Sequence, residues 1–308
     1  MIQDKVSVII TTYKATDRLR DAIKSVLNQT YEHFEVCVVD DNNPDTESRA
    51  YTERIIQEFA DHPKLKYIKH ERNKNGSAAR NTGICATDGE FIAFLDDDDI
   101  YYSDRLAKCV GALKKDVLLG GVYTHVDIYE DEIPIGVRHA EFSGKIWKDF
   151  LLNEGVMGTG SNMFLRRTCM TEIGFFNEAF LRYQDVEYML RFTEKYALLA
   201  LPQVLVRKNI QVTNIPEYKK YKANKLLIFN TFGYLINRLS EEERNHFYYQ
   251  HYMALYRTAI ASCNRKNIAE AMIDCEKMNP KLTKKEKLRG YFPRVFKVYA
   301  KIRKKLNR

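Results

Sequence analysis

The sequence lacks the long apolar runs that cross membranes. No stretch of its 308 residues approaches the ~18 consecutive apolar residues that a membrane-spanning helix needs. The first residues lead directly into a short apolar strand, without the basic segment and long apolar core of a secretory signal peptide. We therefore expect a cytoplasmic protein without an integral membrane segment.

Cysteine is sparse as well. The six cysteines form no C-x-x-C pair, and most of them lie in apolar surroundings. Neither a disulfide framework nor a zinc site is therefore expected, and the thiols are predicted to be free and mostly buried.

Positive charge is abundant, but it is concentrated near one end. Residues 281–308 contain twelve Lys or Arg and one acidic residue, a net +11 in a chain whose overall charge is +8. The preceding 280 residues are therefore slightly acidic, at −3. A basic surface over the whole protein is not expected, and we predict no nucleic-acid partner.

Strand and helix patterns alternate over the first 115 residues. The apolar strand runs lie at 6–10, 35–39, 65–68 and 91–95, with helical patterns between them. This alternation predicts a mainly parallel sheet covered by helices on both faces. Later strand-like segments at 119–129, 161–165 and 204–210 predict a mixed-sheet half. We predict one α/β domain over residues 1–215 and a helical region over residues 216–308.

Polar clusters follow three of these strands. They are Thr11-Thr12-Tyr13, Asp40-Asp41-Asn42 and Asp96-Asp97-Asp98-Asp99. Ligands of open α/β sheets bind beyond the carboxyl ends of the strands, so the three clusters predict a site at that edge. Adjacent carboxylates repel each other unless a cation offsets their charge, and oxygen ligands suit Mg²⁺ or Mn²⁺. The alternative is a solvated acidic turn that caps a helix starting near Ser103.

With Gly76-Ser77-Ala78-Ala79-Arg80-Asn81, these motifs resemble the large family 2 of inverting glycosyltransferases with a GT-A fold. The resemblance covers about residues 5–210, in the family's order and spacing. It implies a Rossmann-like nucleotide-binding half fused to a mixed-sheet acceptor half, here followed by a C-terminal helical appendage.

The resemblance implies a base pocket at the first two strand ends. Thr11 and Tyr13 would line it, and Asp41 would accept a hydrogen bond from the base, with Asp40 beside it. A carboxylate suits the N–H donor of a uracil edge. The ring of Tyr13 offers a stacking face, worth about 1–3 kcal/mol per base in other nucleotide sites. Thr11 and Lys14 depart from the Pro and Asn that are usual in the family.

The resemblance also implies a diphosphate and metal site. Arg80 would approach the base or diphosphate, for which its guanidinium provides a charge-assisted fork. The alternative is a surface arginine on a helix. Asp96, Asp97 and Asp98 would form the metal and ribose site, with Asp98 as the best candidate ligand for Mn²⁺ or Mg²⁺.

The segment from Tyr183 to Phe192 resembles the family's helix-start motif, in which an aspartate is the catalytic base. Asp185 matches that aspartate, and Gln184 replaces a more usual acidic neighbour. The alternative is that Asp185 only stabilises the helix N-terminus. Glu187 is the weaker candidate because it would point to another face of the helix.

Apolar residues recur at helical spacing in the basic segment. They are Leu288, Phe292, Val295, Tyr299, Ile302 and Leu306. Pro293 is expected to mark the start of this helix. A basic amphipathic helix suits an anionic membrane surface. The alternative is a helix that packs on the body of the protein or in a homo-oligomer.

These features predict an inverting, non-processive glycosyltransferase at the inner face of the cell membrane. It would move a hexose or N-acetylhexosamine from a UDP-sugar to a hydroxyl of a lipid-linked glycan or cell-surface polysaccharide precursor. Two alternatives remain. One is a non-catalytic protein that binds glycans or anionic surfaces on a transferase scaffold. The other is a nucleotidyltransferase, which would usually carry a Gly-rich phosphate loop after the first strand, where this chain has none.

Overall fold

The computed structural model describes residues 1–130, 132–153, 156–210, 217–278 and 281–293. The chain divides into two compact units, Met1–Val212 and Thr213–Arg308. The predicted boundary near residue 215 lies outside the described residues. Each unit has its own apolar core.

The described part of the first unit contains nine strands in a single sheet. They are β1 (Ile2–Thr12), β2 (Phe34–Asp40), β3 (Leu65–Lys69), β4 (Gly89–Asp96), β5 (Ile100–Tyr101), β6 (Leu119–Glu130), β7 (Ile133–Arg138), β8 (Phe164–Arg166) and β9 (Ala197–Ile210). Their order is β3-β2-β1-β4-β8-β6-β9-β5, and β7 pairs with β6.

The two halves of this sheet pair differently. Strands β3, β2, β1 and β4 are parallel to one another. Strand β8 is antiparallel to both β4 and β6, whereas β6 and β9 are parallel. The prediction of a parallel α/β half joined to a mixed-sheet half is therefore confirmed.

Seven helices connect these strands in the described part of the unit. They are α1 (Arg18–Leu27), α2 (Glu47–Gln57), α3 (Gly76–Ala86), α4 (Arg105–Lys115), α5 (Trp147–Leu152), α6 (Arg167–Ile173) and α7 (Gln184–Lys195). A 3-10 turn covers Gly160–Asn162. The helix expected near Ser103 begins at Arg105, and the short strand β5 lies between it and the acidic run. The acidic run is therefore not a helix cap.

Apolar packing fixes α3 on the sheet. A Cβ at Gly83 of α3 would lie only 2.4 Å from the Cγ2 atom of Ile9 in β1, so a glycine is needed for this close approach. The other face of β1 buries Val8 and Ile10 against α1 and α4. The start of α3 is thereby placed at the carboxyl edge of the sheet. All six cysteines are free and four of them are buried, as predicted.

The second unit is helical in its described part, which confirms that prediction. Its helices are α8 (Tyr218–Thr231), α9 (Gly233–Ile236), α10 (Glu241–Ser262), α11 (Arg265–Glu276) and α12 (Lys284–Tyr291). A capping box of Thr283 and Glu286 starts α12, which ends before Pro293. Most of the amphipathic helix predicted beyond Pro293 lies in residues 294–308, outside the described part. None of the described helices is long and apolar enough to cross a membrane.

Candidate active site

The four carboxylates of the acidic run differ in their surroundings. Asp99 is buried, and its Oδ2 atom accepts hydrogen bonds from the hydroxyls of Thr159 (2.8 Å) and Ser161 (2.7 Å). Its Oδ1 atom accepts one from the backbone N–H of Asn209 in β9 (3.1 Å). Burial, followed by the charges of the neighbouring carboxylates, raises the pKa of Asp99 to about 7. Asp99 therefore fixes the acidic turn to the 3-10 turn and to β9.

Asp97 joins the ends of two neighbouring strands. Its Oδ2 atom accepts a hydrogen bond from the hydroxyl of Thr12, the last residue of β1, at 2.5 Å. Burial raises the pKa of Asp97 to about 7, with smaller contributions from Asp98 and Asp96. The side chain is half-buried beside the predicted metal ligand.

Asp98 is the predicted principal ligand of a divalent cation. Burial, and then the charge of Asp96, raise the pKa of this half-buried carboxyl. Its backbone carbonyl accepts a hydrogen bond from the Asn209 amide (2.6 Å). A divalent ion would offset the repulsion between Asp96 and Asp98. Within the described residues, no three His, Cys, Asp or Glu side chains form a ready-made metal cage. Mg²⁺ commonly uses one or two carboxylates and takes its other ligands from phosphates, so the site fits such an ion.

Arg80 connects the acidic turn with the start of α7. Its buried guanidinium donates from Nη2 to Oδ1 of Asp96 (2.8 Å) and from Nη1 to Oε1 of Gln184 (2.7 Å). A Cβ at Gly76 would lie 2.8 Å from that Gln184 oxygen, so the glycine leaves room for the amide. This burial disagrees with the alternative of a surface arginine.

Three predicted residues converge around Gly160. A Cβ at this glycine would lie 3.4 Å from Nη2 of Arg80, 3.7 Å from Oδ2 of Asp96 and 3.8 Å from the Cβ of Asp185. Asp185 is half-buried in the first turn of α7, where the helix dipole favours a carboxylate. The fold therefore brings residues 80, 96 and 185 into one site.

Glu187 has a structural role. It is buried, and its carboxylate forms a two-bond ion pair with Arg191, one turn along α7, with Nε–Oε1 and Nη2–Oε2 distances of 2.7 and 3.0 Å. This pairing agrees with the expectation that Glu187 is the weaker candidate for the base.

The structure places Asp40 away from its predicted role in the nucleotide pocket. The residue is fully buried, and its Oδ1 atom accepts hydrogen bonds from the backbone N–H (2.9 Å) and the amide (2.7 Å) of Asn42. Its Oδ2 atom accepts one from the Tyr67 hydroxyl (2.6 Å) and lies 3.2 Å from Nε of Arg49. Both oxygens are therefore used inside the protein, and Asp40 holds the turn after β2.

Asp41 is also engaged within the structure. Its Oδ1 atom contacts Nδ1 of His70 (2.7 Å) and accepts from the backbone N–H of Lys74 (2.8 Å). Its Oδ2 atom accepts from the amide of Asn73 (2.8 Å) and the backbone N–H of Asn75 (2.9 Å). A carboxylate has about four acceptor positions, so these contacts leave little capacity for a base. The predicted hydrogen bond to the base is not supported here, and Asp41 instead orders the segment before α3.

Thr11 and Tyr13 lie at the end of β1, as expected. Thr11 is half-buried and pairs in register with Asp96 of β4. The Tyr13 side chain is 49% exposed, which leaves its ring open to stacking. The Lys14 ammonium lies 5.2 Å from the centroid of that ring.

Several residues around the site are not among the predicted site residues. They are His70, Thr159, Gly160, Ser161 and Asn209. Four of them, His70, Thr159, Ser161 and Asn209, hydrogen-bond to a carboxylate that lies 29 or more residues away in sequence. Only the folded chain shows these contacts.

Comparison with known families decides where this chain belongs. The family model for glycosyl transferase family 2 matches residues 7–174, which include the carboxyl end of β1, the acidic turn and Gly160. The chain belongs to glycosyl transferase family 2. The resemblance noted in the sequence is thus confirmed.

Several curated relatives of this family 2 chain have bacterial origins. The chondroitin synthase of Escherichia coli is 30% identical over 61% of this chain and 26% of that protein. The UDP-Glc:alpha-D-GlcNAc-diphosphoundecaprenol beta-1,3-glucosyltransferase WfgD of Escherichia coli is 36% identical over 36% of this chain and 41% of that protein. The amylovoran biosynthesis glycosyltransferase AmsB of Erwinia amylovora is 27% identical, over 64% and 67% of the two chains. The family 2 chain thus matches less than half the length of the first two of these relatives.

A solved structure shares the fold of this family 2 chain. Residues 1–349 of S. aureus TarS, in complex with UDP-GlcNAc, match with a TM-score of 0.55 at 15% identity. The match covers 87% of this chain and 89% of that chain. The predicted GT-A fold is therefore confirmed.

Proposed function

We propose that this family 2 chain is an inverting, non-processive glycosyltransferase that uses a UDP-sugar. The observation that carries the proposal is the convergence of Arg80, Asp96 and Asp185 around Gly160, at the carboxyl edge of the sheet. A guanidinium for a diphosphate and a carboxylate for an acceptor hydroxyl are the two groups that sugar transfer needs.

The nature of the relatives supports a UDP-linked donor, either a hexose or an N-acetylhexosamine. The WfgD name specifies UDP-glucose, and the TarS structure contains UDP-GlcNAc. In this chain, Tyr13 offers an exposed stacking face beside the strand ends. Arg80 offers a positive group at the place where a diphosphate would lie.

A Mn²⁺ or Mg²⁺ ion is part of the proposal. Asp98 would be its principal carboxylate ligand, with Asp96 and Asp97 close by. When bound, the ion would neutralise charge that develops on the departing diphosphate. The raised pKa of Asp98, caused first by burial, supports the idea that a cation is needed to keep these carboxylates ionised together.

Asp185 is the proposed base of the transfer. Its carboxylate would accept the proton of an acceptor hydroxyl while that oxygen forms a bond to the anomeric carbon. The bond from this carbon to the diphosphate breaks on the opposite face, so the anomeric configuration inverts. Arg80 would stabilise the negative charge on the leaving oxygen.

The proposed acceptor is a lipid-linked glycan or a cell-surface polysaccharide precursor, at an anionic membrane surface. The WfgD name, which contains a diphosphoundecaprenol acceptor, supports this choice. In α12 and just after it, Leu288, Tyr291 and Phe292 are about half exposed or more, beside exposed Lys284 and Arg289. Exposed apolar and basic side chains together favour a membrane interface.

Two substitutions test the site. Asp98→Ala should abolish UDP-sugar turnover and weaken UDP binding in the presence of Mn²⁺, because it removes the ion that holds the diphosphate. Asp185→Asn should reduce turnover by at least a hundredfold and leave UDP binding unchanged, because the base contacts the acceptor side. UDP release from UDP-glucose, UDP-galactose, UDP-GlcNAc and UDP-GalNAc measures turnover, and calorimetry measures binding.

Glu187→Gln is a control for Asp185→Asn, because it alters a carboxylate on the same helix that pairs only with Arg191 among the described contacts. Its turnover per folded molecule should stay within threefold of the parent. Full turnover in Asp185→Asn would remove that residue from the mechanism. If the parent protein shows no turnover and does not bind UDP, a non-catalytic binding protein is favoured.

A further inference from the structure

One face of α3 is hydrogen-bonded to the chain segment that leads into the helix of the candidate base. We call residues 174–183 the bridging segment. The amide of Asn81 donates to the carbonyl of Phe176 (3.0 Å) and to Oε1 of Glu178 (3.0 Å). The backbone N–H of Phe176 donates back to Oδ1 of Asn81 (2.9 Å). A single side chain thus holds Phe176 at both its N–H and its carbonyl.

Two further residues of the α3 start extend this contact. The Asn75 amide donates to the carbonyl of Glu178 (3.0 Å), and the Ser77 hydroxyl lies 3.5 Å from the carbonyl of Phe180. Asn75 has a φ of 104°, an unusual value for a residue other than glycine. Asp41 holds its backbone N–H in this conformation. Such strain persists only where the surroundings fix the residue, which is typical of functional sites.

The contact continues from the bridging segment into α7. The buried ring of Phe176 stacks on Tyr188, with a centroid distance of 4.1 Å and an interplanar angle of 19°. Tyr188 lies three residues after Asp185, about one helical turn along α7. Asn81 fixes the Phe176 backbone, and Phe176 packs on α7, so the position of Asp185 depends on an asparagine of α3.

We propose that Asn81 is a positioning residue that sets the distance between Asp185 and the pair Arg80 and Asp96. The inference rests on the proposed function of Asp185. It explains how a base on α7 is kept in register with a donor site on α3 and β4, although Asp185 lies 105 residues after Arg80 and 89 after Asp96 in sequence. The three side-chain hydrogen bonds of Asn81 go to the bridging segment, which leads into α7 and the candidate base.

Asn81→Ala removes all three hydrogen bonds and tests the inference. We expect the kcat for UDP release, measured with the UDP-sugar that the parent turns over fastest, to fall about 10- to 100-fold, because a displacement of about 1 Å can cost that much. The affinity for UDP with Mn²⁺ should stay within about threefold. Hydrogen exchange in peptides that cover residues 174–190 should become faster.

Two further variants keep the test decisive. Asn81→Asp retains the acceptor for the Phe176 N–H but loses both donated bonds, so its kcat should lie between those of the parent and Asn81→Ala. Asn224→Ala makes the same change as the main variant on α8, where the amide donates to Lys220 of its own helix and to no other described residue. It should change neither kcat nor exchange at residues 174–190. If Asn81→Ala does not fold, Asn81→Asp carries the test.

Unchanged exchange at residues 174–190 in a folded Asn81 variant would overturn the inference, whatever the activity. So would an unchanged kcat, or a loss of UDP affinity as large as the loss in kcat. Asp185→Asn, assayed in parallel, separates the two ideas. Full turnover in that variant contradicts the proposed base, whereas a loss there with normal turnover in Asn81→Ala contradicts only the positioning role.

Discussion

At the scale of single residues, carboxylates that are neighbours in the sequence have different structural roles. Asp99 is enclosed by Thr159, Ser161 and the backbone of Asn209, whereas the Asp98 side chain is half-buried and is the proposed cation ligand. Both carboxylate oxygens of Asp40 are likewise engaged by groups within the protein. A structural carboxylate differs from a ligand-binding carboxylate in its burial and in the number of hydrogen bonds that it accepts from the protein. The position of a carboxylate in the sequence does not distinguish these two roles.

Asp40→Ala tests this division. The ion pair of Asp40 with Arg49 is buried, so removing one partner leaves a charge without compensation and should lower the free energy of unfolding by about 3–5 kcal/mol. Urea denaturation at pH 7 measures this loss. UDP affinity of the folded fraction should change less than threefold.

Glu53→Ala is the matched control, because it removes a carboxylate from an exposed pair with Lys69. Its cost should be below about 1 kcal/mol. Equal effects of the two substitutions would refute the structural role of Asp40. A selective loss of UDP binding in a stable Asp40→Ala protein would restore the residue to the nucleotide pocket.

At the scale of elements, two helices of the second unit enclose an unusual pair. Lys225 of α8 is buried, and its Nζ lies 2.9 Å from Nδ1 of His251 in α10. Burial lowers the pKa of Lys225 to about 7. Burial, and then the charge of Lys225, hold the pKa of His251 well below its usual range. The aromatic ring of Phe229 packs on the same histidine at 5.2 Å.

This arrangement predicts that α8 and α10 are more stable at alkaline pH. The unfolded chain keeps Lys225 protonated up to about pH 10.4, whereas the folded chain releases the proton near pH 7. The unfolded state therefore binds more protons between these values, and stability rises with pH across this window. Lys225→Met should be more stable than the parent at pH 7, by an amount on the order of a few kcal/mol.

The difference should shrink towards pH 10, because Lys225 of the parent then no longer has to lose a proton when the chain folds. Hydrogen exchange in peptides from α8 and α10, corrected for intrinsic rates, measures the stability of the two helices at each pH. Lys220→Met changes an exposed lysine of the same helix and should show no pH-dependent difference. A constant difference for Lys225→Met from pH 7 to 10 would contradict the buried-charge explanation.

At the scale of the whole molecule, charge is divided unevenly between a slightly acidic body and a strongly basic end. In α12, the basic residues Lys284, Lys285 and Arg289 are exposed. Residues 294–308 lie outside the described part. Electrostatic attraction to anionic lipid is worth about 1 kcal/mol for each basic residue near the surface. This attraction is screened by salt.

Substituting Lys284, Lys285 and Arg289 together by Gln should weaken binding to vesicles that contain phosphatidylglycerol by about a hundredfold at low salt. Cosedimentation of the full chain with the vesicles measures this change. Replacing Lys219, Lys220 and Lys266 by Gln makes the same charge change elsewhere in the second unit. That control should weaken binding less than threefold. Equal losses would indicate that net charge alone is responsible, and binding that persists at high salt would exclude an electrostatic origin.

The sequence by itself determined the parallel part of the sheet and the location of the acidic run in the first unit. The apolar runs of β1, β2 and β4 fix a buried parallel sheet, because only continuous apolar strands suit a sheet covered on both faces. The carboxyl ends of such strands lie at one edge, so the location of the acidic run followed from its place after β4.

Only the tertiary structure decided which side chains are structural and which are available to a ligand. Whether Asp40, Asp41 or Asp98 is available to a ligand depends on how many donors the fold brings to each, from residues up to 34 positions away for Asp41 and 111 for the turn at Asp98. The contact of Asn81 with Phe176 joins positions 95 residues apart. A sequence shows which groups a chain carries, but hydrogen-bond partners and burial arise only when distant segments pack together.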